Sequence, residues 1–265
     1  VMGWGLIIPV MPKLIAQLKG IAINQASTEG ALLISVYAIT QFLFAPIIGN
    51  LSDKYGRRPV LLASLLGFGI DYIILALAPD YSWLFAGRII AGITGASFTT
   101  ASAYIADIST AETRAKNFGL IGAAFGIGFV IGPALGGLLA GFGLRAPFYA
   151  AAALCLLNAL YGYFVLPESL AKENRRPFDW KRANPLGALR LLKRYPGIDG
   201  LALCFFLIYL AAQAVQGNWN FFTMYRFNWS ESTVGLSLAV VGLLVGGVQA
   251  GLTRVVNPRL GNQKS

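Results

Sequence analysis

The chain has 265 residues, 56% of them hydrophobic and 12% charged, with a formal net charge of +10. Soluble domains carry about 25% charged residues, so this composition excludes an ordinary soluble domain and indicates a protein embedded in lipid. The basic residues lie in the gaps between apolar runs rather than on one soluble face, which disfavours nucleic-acid binding. The chain has no His and 2 Cys, so we expect no metal site, no disulfide framework and no cofactor.

Eight apolar segments are long enough to cross a membrane, because a spanning helix needs about 20 mainly apolar residues. They cover residues 1–18, 28–50, 59–79, 82–107, 115–141, 146–166, 197–218 and 232–256. The sequence therefore predicts an all-α fold, a polytopic membrane helix bundle. The first segment begins in mid-run without a charged leader, so we expect it to be the clipped part of a longer helix.

The distribution of Lys and Arg over alternate loops predicts the orientation of the bundle. The loops after the second, fourth, sixth and eighth segments hold sixteen of these residues, whereas the other loops hold four. Because basic residues are retained on the cytoplasmic side of a membrane, the first group of loops is predicted to face the cytoplasm.

A polar stretch at residues 167–195 divides the segments into two groups. We expect residues 1–166 to form an N-terminal six-helix bundle and residues 196–265 to begin a C-terminal bundle. A faint repeat of residues 51–56 at residues 256–261 supports this division, since transporters of this kind are built from such repeats.

Within the polar stretch, Asn184 and Pro185 are typical of a helix start. Two interpretations of the residues that follow stay open. One is a short amphipathic helix that lies on the inner leaflet, and the other is a solvated run of charges. The side chains concerned are Leu186, Leu189, Leu192, Arg190, Lys193 and Arg194.

The loop that begins at Gly49 is the most specific motif of the chain. Gly56 can adopt the positive φ of a tight reversal, and Asp53 can pair with Arg57 or Arg58. The loop resembles the signature loop between the second and third helices of the major facilitator superfamily of secondary transporters. Ordinary retention of basic residues in the cytoplasm would explain the arginines, but not the spacing of the glycines and the aspartate.

The resemblance implies that this loop is a conformational latch. In the superfamily, the loop joins an ion-pair network with an acidic residue that ends the fourth helix. Asp107 fills that position here, so we expect Asp53, Arg57 and Asp107 to form a cluster that breaks as two bundles rock.

The fifth segment carries six residues at the spacing of the antiporter signature of drug exporters in this superfamily. They are Gly119, Gly128, Gly132, Pro133, Gly136 and Gly137. Gly128, Gly132 and Gly136 share one helix face, which allows the close approach of a neighbouring helix. Pro133 removes one amide donor, so we expect a bend. Generic packing of small residues is the alternative interpretation.

Asp71 lies about 18 Å into the third segment from its cytoplasmic end, at about 1.5 Å per residue. An acid near the bilayer centre costs about 2.5–3.5 kcal/mol on insertion scales, so it marks a group that faces an interior pathway. We predict that Asp71 binds the coupling proton or holds a cationic substrate, since desolvation favours the protonated carboxyl. An acid in an aqueous vestibule without a role is the alternative.

Arg88 lies about 9 Å into the fourth segment from the outer side, which is the predicted depth of Asp71. We expect the two either to pair directly or to face the same cavity, and a snorkelling arginine is the alternative. The residues around Arg88 resemble the fourth-helix motif of the superfamily, which implies a role in proton coupling. Gln41 in the second segment is a further polar candidate for this interior site.

Several further stretches resemble the tetracycline/proton antiporter subgroup, namely residues 59–72, 92–96, 105–107, 184–186, 226–229 and 235–239. The resemblance implies a multi-pass protein of the bacterial inner membrane that exchanges a proton for a cationic metal–tetracycline chelate. About eight of the twelve helices of two six-helix bundles would be present. The implied partners are a small-molecule substrate, protons and the lipid bilayer, and the protein would be a monomer. Val245 departs from the subgroup, which typically has a histidine there.

Other function classes were weighed against export. A metabolite or sugar porter of the same superfamily is disfavoured by the Gly-Pro pattern of the fifth segment, and a non-transporting scaffold would not need Asp71 and Arg88 at matched depth. An enzyme is not expected, because the sequence shows no nucleophile–base set. Four aromatic residues are expected to surround an outer loop as an interfacial belt, namely Trp219, Phe221, Phe222 and Trp229.

Overall fold

The structure is a computed structural model that describes residues 2–180, 182–185, 187 and 198–248. The main elements in these ranges are α-helices. They are α1 Met2–Ile7, α2 Met11–Lys19, α3 Ile23–Tyr55, α4 Arg57–Leu77, α5 Tyr81–Gly95, α6 Phe98–Asp107, α7 Arg114–Leu139, α8 Ala146–Val165, α9 Ile198–Phe227 and α10 Glu231–Gly247. Short 3-10 turns lie at Ala140–Phe142 and Lys172–Asn174.

Within the described ranges, six helices are long and apolar enough to cross a membrane, with α5 and α6 counted together as one of them. The predicted all-α membrane bundle is confirmed. The first predicted segment corresponds to α1 and α2, and the eighth to α10. The helix predicted after Pro185 and the second copy of the repeat, residues 256–261, fall outside the described residues, apart from Gly187.

Two predicted segments are interrupted, and each interruption has a local cause. The first breaks between Ile7 and Met11, where Pro9 and Pro12 lack the N–H groups that a continuous helix needs. The fourth breaks after Gly95. There the Thr94 hydroxyl donates to the carbonyls of Ile90 at 3.0 Å and Ala91 at 3.2 Å, and such bonds compete with the backbone ladder.

The seventh segment extends beyond its predicted end at residue 218, because α9 continues to Phe227. Trp219 and Phe222 therefore lie on a helix rather than around a loop. Phe221 is 4% exposed and packs against Gly30 of α3, so its assignment to an interfacial belt was wrong. The polar residues near Trp219 resemble a loop in sequence, but tertiary packing keeps this stretch helical.

The packing of the helices places the core toward the outer ends of the bundle. α4 packs between α5 and α8, α1 packs against α7 and α8, and α10 packs along α7. The buried core includes Leu6, Leu14, Leu75, Leu84 and Phe148. By the predicted orientation, Leu14, Leu75, Leu84 and Phe148 lie in the outer halves of their segments. The cytoplasmic halves of α7 and α9 are largely exposed.

Candidate functional site

Asp71 on α4 and Arg88 on α5 form a buried ion pair. The Nη2 of Arg88 donates to the Oδ2 of Asp71 at 2.5 Å, and the two side chains are 0% and 2% exposed. Both side chains therefore face the interior of the bundle rather than lipid. Of the two arrangements expected, direct pairing is the one observed, whereas the role of the two residues in coupling stays a prediction.

Aromatic rings surround this pair. The Trp4 ring of α1 lies over the Arg88 guanidinium, 5.5 Å from its centroid, and stacks on the Tyr37 ring at 5.7 Å. Two buried atoms of the pair, Oδ1 of Asp71 and Nε of Arg88, have no hydrogen-bond partner among the described residues. A buried polar atom without a partner costs about 1–3 kcal/mol, so these two atoms add to the free-energy cost of burying the pair.

Gly87 makes room for the carboxylate. A Cβ atom at Gly87 would lie 2.7 Å from Oδ1 of Asp71, closer than van der Waals contact permits. Gly87, Trp4 and Tyr37 were not predicted from the sequence as parts of the site. The position of Gly87 directly before Arg88 could have indicated its role, because a helical glycine beside a buried charge indicates a close approach.

Gln41 lies beside this site but does not contact the ion pair. Its Nε2 donates to the hydroxyl of Tyr37 at 3.2 Å and to the carbonyl of Gly95 at 3.0 Å. Gly95 ends α5, so Gln41 stabilises the break in the fourth segment. Its link to the buried pair runs through Tyr37 and the stacked Trp4.

A second group of charges lies at the cytoplasmic ends of α3, α4 and α6, and we call Asp53, Arg57 and Asp107 the cytoplasmic cluster. The Nη1 of Arg57 donates to Asp53, and its Nε donates to Oδ2 of Asp107 at 3.2 Å. These are the contacts that the sequence predicted, while the latch role stays a prediction. Gly56 has φ of +108°, which confirms the expected reversal.

Two residues of the signature loop, Arg58 and Gly49, take no part in the contacts of the cytoplasmic cluster. Arg58 turns away from the cytoplasmic cluster, because its Nη2 donates to the carbonyl of Tyr163 at 2.5 Å. Its guanidinium also lies 5.3 Å from the centroid of the Tyr163 ring. Gly49 allows no close approach, since a Cβ there would meet Oγ1 of Thr99 at an ordinary 3.9 Å.

Two residues at the start of the polar stretch, Glu168 and Ser169, contact this region and were not predicted from the sequence. The Glu168 carboxylate accepts the backbone N–H of Arg57 at 2.8 Å and that of Arg58 at 3.3 Å. It therefore caps the first turn of α4, where N–H groups lack helical partners. The Ser169 hydroxyl donates to Oδ2 of Asp107 at 3.1 Å. The sequence feature that could have indicated the role of Glu168 is its position just after the end of the sixth segment.

The glycine face of α7 contacts α1, as predicted. A Cβ at Gly132 would lie 2.8 Å from Cα of Gly5, and one at Gly136 would overlap the carbonyl of Leu6. The carbonyl of Gly128 lies 3.1 Å from the position of a Cβ at Gly5. The three glycines therefore allow the two backbones to touch.

The other side of α7 contacts α10. A Cβ at Gly137 would lie 2.6 Å from the carbonyl of Glu231, and one at Gly235 would overlap the carbonyl of Pro133. The Ser232 hydroxyl donates to the carbonyl of Gly137 at 2.8 Å. Gly119, by contrast, has no such atom within 4 Å of a Cβ. The outer half of α7 thus joins α1 to α10, and the bend expected at Pro133 stays a prediction.

The model of the Major Facilitator Superfamily matches residues 1–265. The chain belongs to the Major Facilitator Superfamily. Within the superfamily it is 45% identical over 263 residues to the tetracycline resistance protein, class C, of Escherichia coli, covering 99% of this chain and 66% of the relative. It is 41% identical to the class G protein of Vibrio anguillarum, covering 100% of this chain and 66% of the relative. The predicted resemblance to this subgroup is confirmed.

A solved structure in the superfamily has the same fold. The human organic anion transporter MFSD10 (TETRAN) superimposes with a TM-score of 0.78 at 25% identity, covering 97% of this chain and 70% of that chain. The chain spans just under two thirds of the length of the two tetracycline resistance proteins. Its apolar helices and its bacterial relatives identify it as a multi-pass protein of the bacterial inner membrane. Superfamily members of this kind are transporters rather than enzymes.

Proposed function

We propose that the protein is a proton-coupled secondary transporter that exports small amphipathic drugs, with tetracycline as the first candidate substrate. The similarity to the tetracycline resistance proteins of class C and class G supports this substrate class. The observation that carries the proposal is the buried pair of Asp71 and Arg88, with its two unpartnered polar atoms. A carboxylate is placed there at a free-energy cost that a purely structural bundle has no reason to bear.

In this proposal, Asp71 and Arg88 act as one exchangeable unit. When Asp71 is ionised, the guanidinium neutralises it. Protonation of Asp71 weakens that attraction and leaves Arg88 as the local charge, so a proton and a cationic group of the drug exclude each other at the site. Such mutual exclusion is the requirement for exchange of a proton against a cationic substrate.

The transport movement in this proposal is alternating access, in which two bundles of helices move relative to each other. Residues 1–166 act as one bundle, and residues from 196 onward begin the other, with the polar stretch as the connection. The cytoplasmic cluster serves as a latch for one of the two states, since its ion pairs are partly exposed and open at small cost. Small-molecule substrate, protons and lipid are the partners of this mechanism, and a single copy of the protein suffices.

The test is proton flux in everted membrane vesicles that contain the full-length protein. A respiratory substrate acidifies the vesicles, and addition of tetracycline with Mg²⁺ is expected to release protons in proportion to drug uptake. Asp71→Asn should abolish this release, because the exchanged carboxyl is gone, while Asp71→Glu should retain part of it. A sugar or an organic anion in place of the drug tests the alternative porters in the same vesicles.

Asp80→Asn is the matched control. Asp80 is an exposed carboxylate that follows α4 and caps α5 through Oδ1, which accepts the N–H of Ser82 at 2.8 Å. Asparagine retains such an oxygen, so this variant should release protons at the unmodified rate. Drug-driven release that survives Asp71→Asn would remove the carboxyl from the mechanism, and vesicles that respond to no solute would favour a scaffold.

A further inference from the structure

The carbonyl of Ile8, at the break in the first segment, lacks a helical donor. In a continuous helix the carbonyl of Ile8 would accept the N–H of residue 12, but residue 12 is a proline and has no N–H. The Nδ2 of Asn220, on α9, instead donates to this carbonyl at 2.9 Å. Asn220 is 5% exposed, so this hydrogen bond lies inside the protein, between the first segment and the seventh.

The helix that Asn220 holds is the one that covers the buried ion pair. α1 spans Met2–Ile7 and carries Trp4, whose ring lies over the Arg88 guanidinium. On its other side, Gly5 is in backbone contact with Gly132 of α7. α1 is six residues long, so a bond at its C-terminal end acts within about 9 Å of every residue in it.

Two neighbouring contacts also join helices of the first six segments to helices of the seventh and eighth segments at the outer side. The Nζ of Lys13 lies 2.8 Å from both carboxylate oxygens of Glu231, which links α2 to α10. Phe221 packs against Gly30, which links α9 to α3. Of these contacts at the outer side, the hydrogen bond from Asn220 is the one made at the C-terminal end of α1.

We propose that Asn220 is a positioning residue that couples closure of the outer side to the geometry of the Asp71–Arg88 pair. When the outer ends are together, the amide of Asn220 satisfies the carbonyl of Ile8 and fixes α1 with Trp4 over Arg88. When they separate, that carbonyl loses its donor and α1 is released from the pair. The inference rests on the proposed function, because it assumes that the two groups of helices move apart.

The proline makes a double-mutant cycle possible. Asn220→Leu keeps the branched shape of the side chain and removes the donor without adding a charge. Pro12→Ala supplies an N–H that can donate to Ile8 within the helix, so the amide of Asn220 is no longer required. Thr223→Val is the matched control, because Thr223 is also buried on α9 and its hydroxyl donates only to carbonyls of its own helix in the described residues, at 2.8 Å and 3.3 Å.

Two quantities are measured on the full-length protein for each variant. The first is the distance between spin labels at Gln17→Cys and Arg226→Cys, near the outer ends of α2 and α9, in a background with Cys155→Ser and Cys204→Ser. The second is drug-driven proton release. Loss of one hydrogen bond changes an equilibrium by about fivefold, so Asn220→Leu should raise the outer-open fraction about fivefold. It should also lower the maximal rate of release more than it changes the half-saturating drug concentration.

In the Pro12→Ala background, the same Asn220→Leu substitution should change the outer-open fraction by less than about twofold. Effects of the two substitutions that simply multiply would overturn the proposal, as would an effect of Thr223→Val equal to that of Asn220→Leu. Non-additive changes in the distances without drug-driven release in any variant would support the coupling and count against drug export. Normal release with unchanged distances in Asn220→Leu would overturn the coupling and leave drug export standing.

Discussion

The protein uses the same chemistry, carboxylate with guanidinium, in two environments. The side chains of Asp71 and Arg88 are 0% and 2% exposed. In the cytoplasmic cluster, Arg57 is 12% exposed, and its partners Asp53 and Asp107 are 40% and 25% exposed. The two groups therefore differ in access to water rather than in the chemical nature of their partners.

This difference determines how much free energy each group needs to change state. An exposed ion pair contributes about 0.2–1 kcal/mol, so thermal motion opens and closes the cytoplasmic cluster readily. Removal of one partner from a buried pair costs about 3–5 kcal/mol, because the other charge stays buried and unpaired. The buried pair therefore changes only when a proton or a ligand compensates it, whereas the cytoplasmic cluster can follow the movement of the helices.

The largest expected effect is that of Asp71→Asn on stability. Because Arg88 loses its counter-charge, the free energy of unfolding should fall by about 3–5 kcal/mol. The double variant Asp71→Asn/Arg88→Gln has no unpaired charge, so it should regain a large part of this loss. Thermal unfolding in detergent measures both. A double variant no more stable than the single would show that burial of the pair is not what separates it from the cytoplasmic cluster.

A smaller effect is expected from Gly87→Ala, which leaves both charges in place. The added Cβ would lie 2.7 Å from Oδ1 of Asp71 and 3.3 Å from a methyl group of Leu75. Overpacking of this kind costs about 1–3 kcal/mol, and displacement of the carboxylate should also slow drug-driven proton release. Gly119→Ala is the matched control, because open space surrounds that position. It should be neutral or stabilising by up to about 1 kcal/mol, as unfolding in detergent would show.

The contrast explains which parts of the site the sequence could predict. Asp71 and Arg88 were identified because charges within apolar runs are energetically conspicuous, and helix geometry gave their depth. Asp53 and Arg57 of the cytoplasmic cluster were identified because they are near in sequence, whereas Asp107 was assigned to it through the resemblance to the superfamily. The spans followed from hydropathy alone, which depends on composition rather than on tertiary contacts.

The parts that the sequence could not predict depend on contacts between distant segments. Trp4 resembles any aromatic residue of an apolar run until the fold places its ring over the Arg88 guanidinium. Glu168 resembles an ordinary linker acid until it caps α4. Asn220 resembles a loop residue, and its role depends on a carbonyl more than 200 positions away. Hydropathy also could not show the breaks at Ile8 and Ala96, since each depends on one or two residues.

A modest effect is expected when the cytoplasmic cluster is changed. Asp107→Asn removes one carboxylate from Arg57, while Asp53 still pairs with it, so the loss should be about 0.2–1 kcal/mol. For a chain of this size, that corresponds to a shift in Tm of about 2–4 °C at most. The conformational balance should change more than the Tm, which spin labels at the cytoplasmic ends of α4 and α6 would report. A loss as large as that of Asp71→Asn would erase the distinction between the two groups.

The smallest expected effect is that of salt, and it separates the two groups most directly. Raising the ionic strength from about 0.1 M to 1 M shortens the Debye length from about 10 Å to 3 Å, which screens charges that water reaches. The stability difference between the unmodified protein and Asp107→Asn should therefore shrink, because the cytoplasmic cluster is partly exposed. The difference for Asp71→Asn should not change, since neither partner of the buried pair contacts the solution. Equal sensitivity of the two differences to salt would mean that water reaches Asp71, and that the pair resembles the cytoplasmic cluster rather than a sealed site.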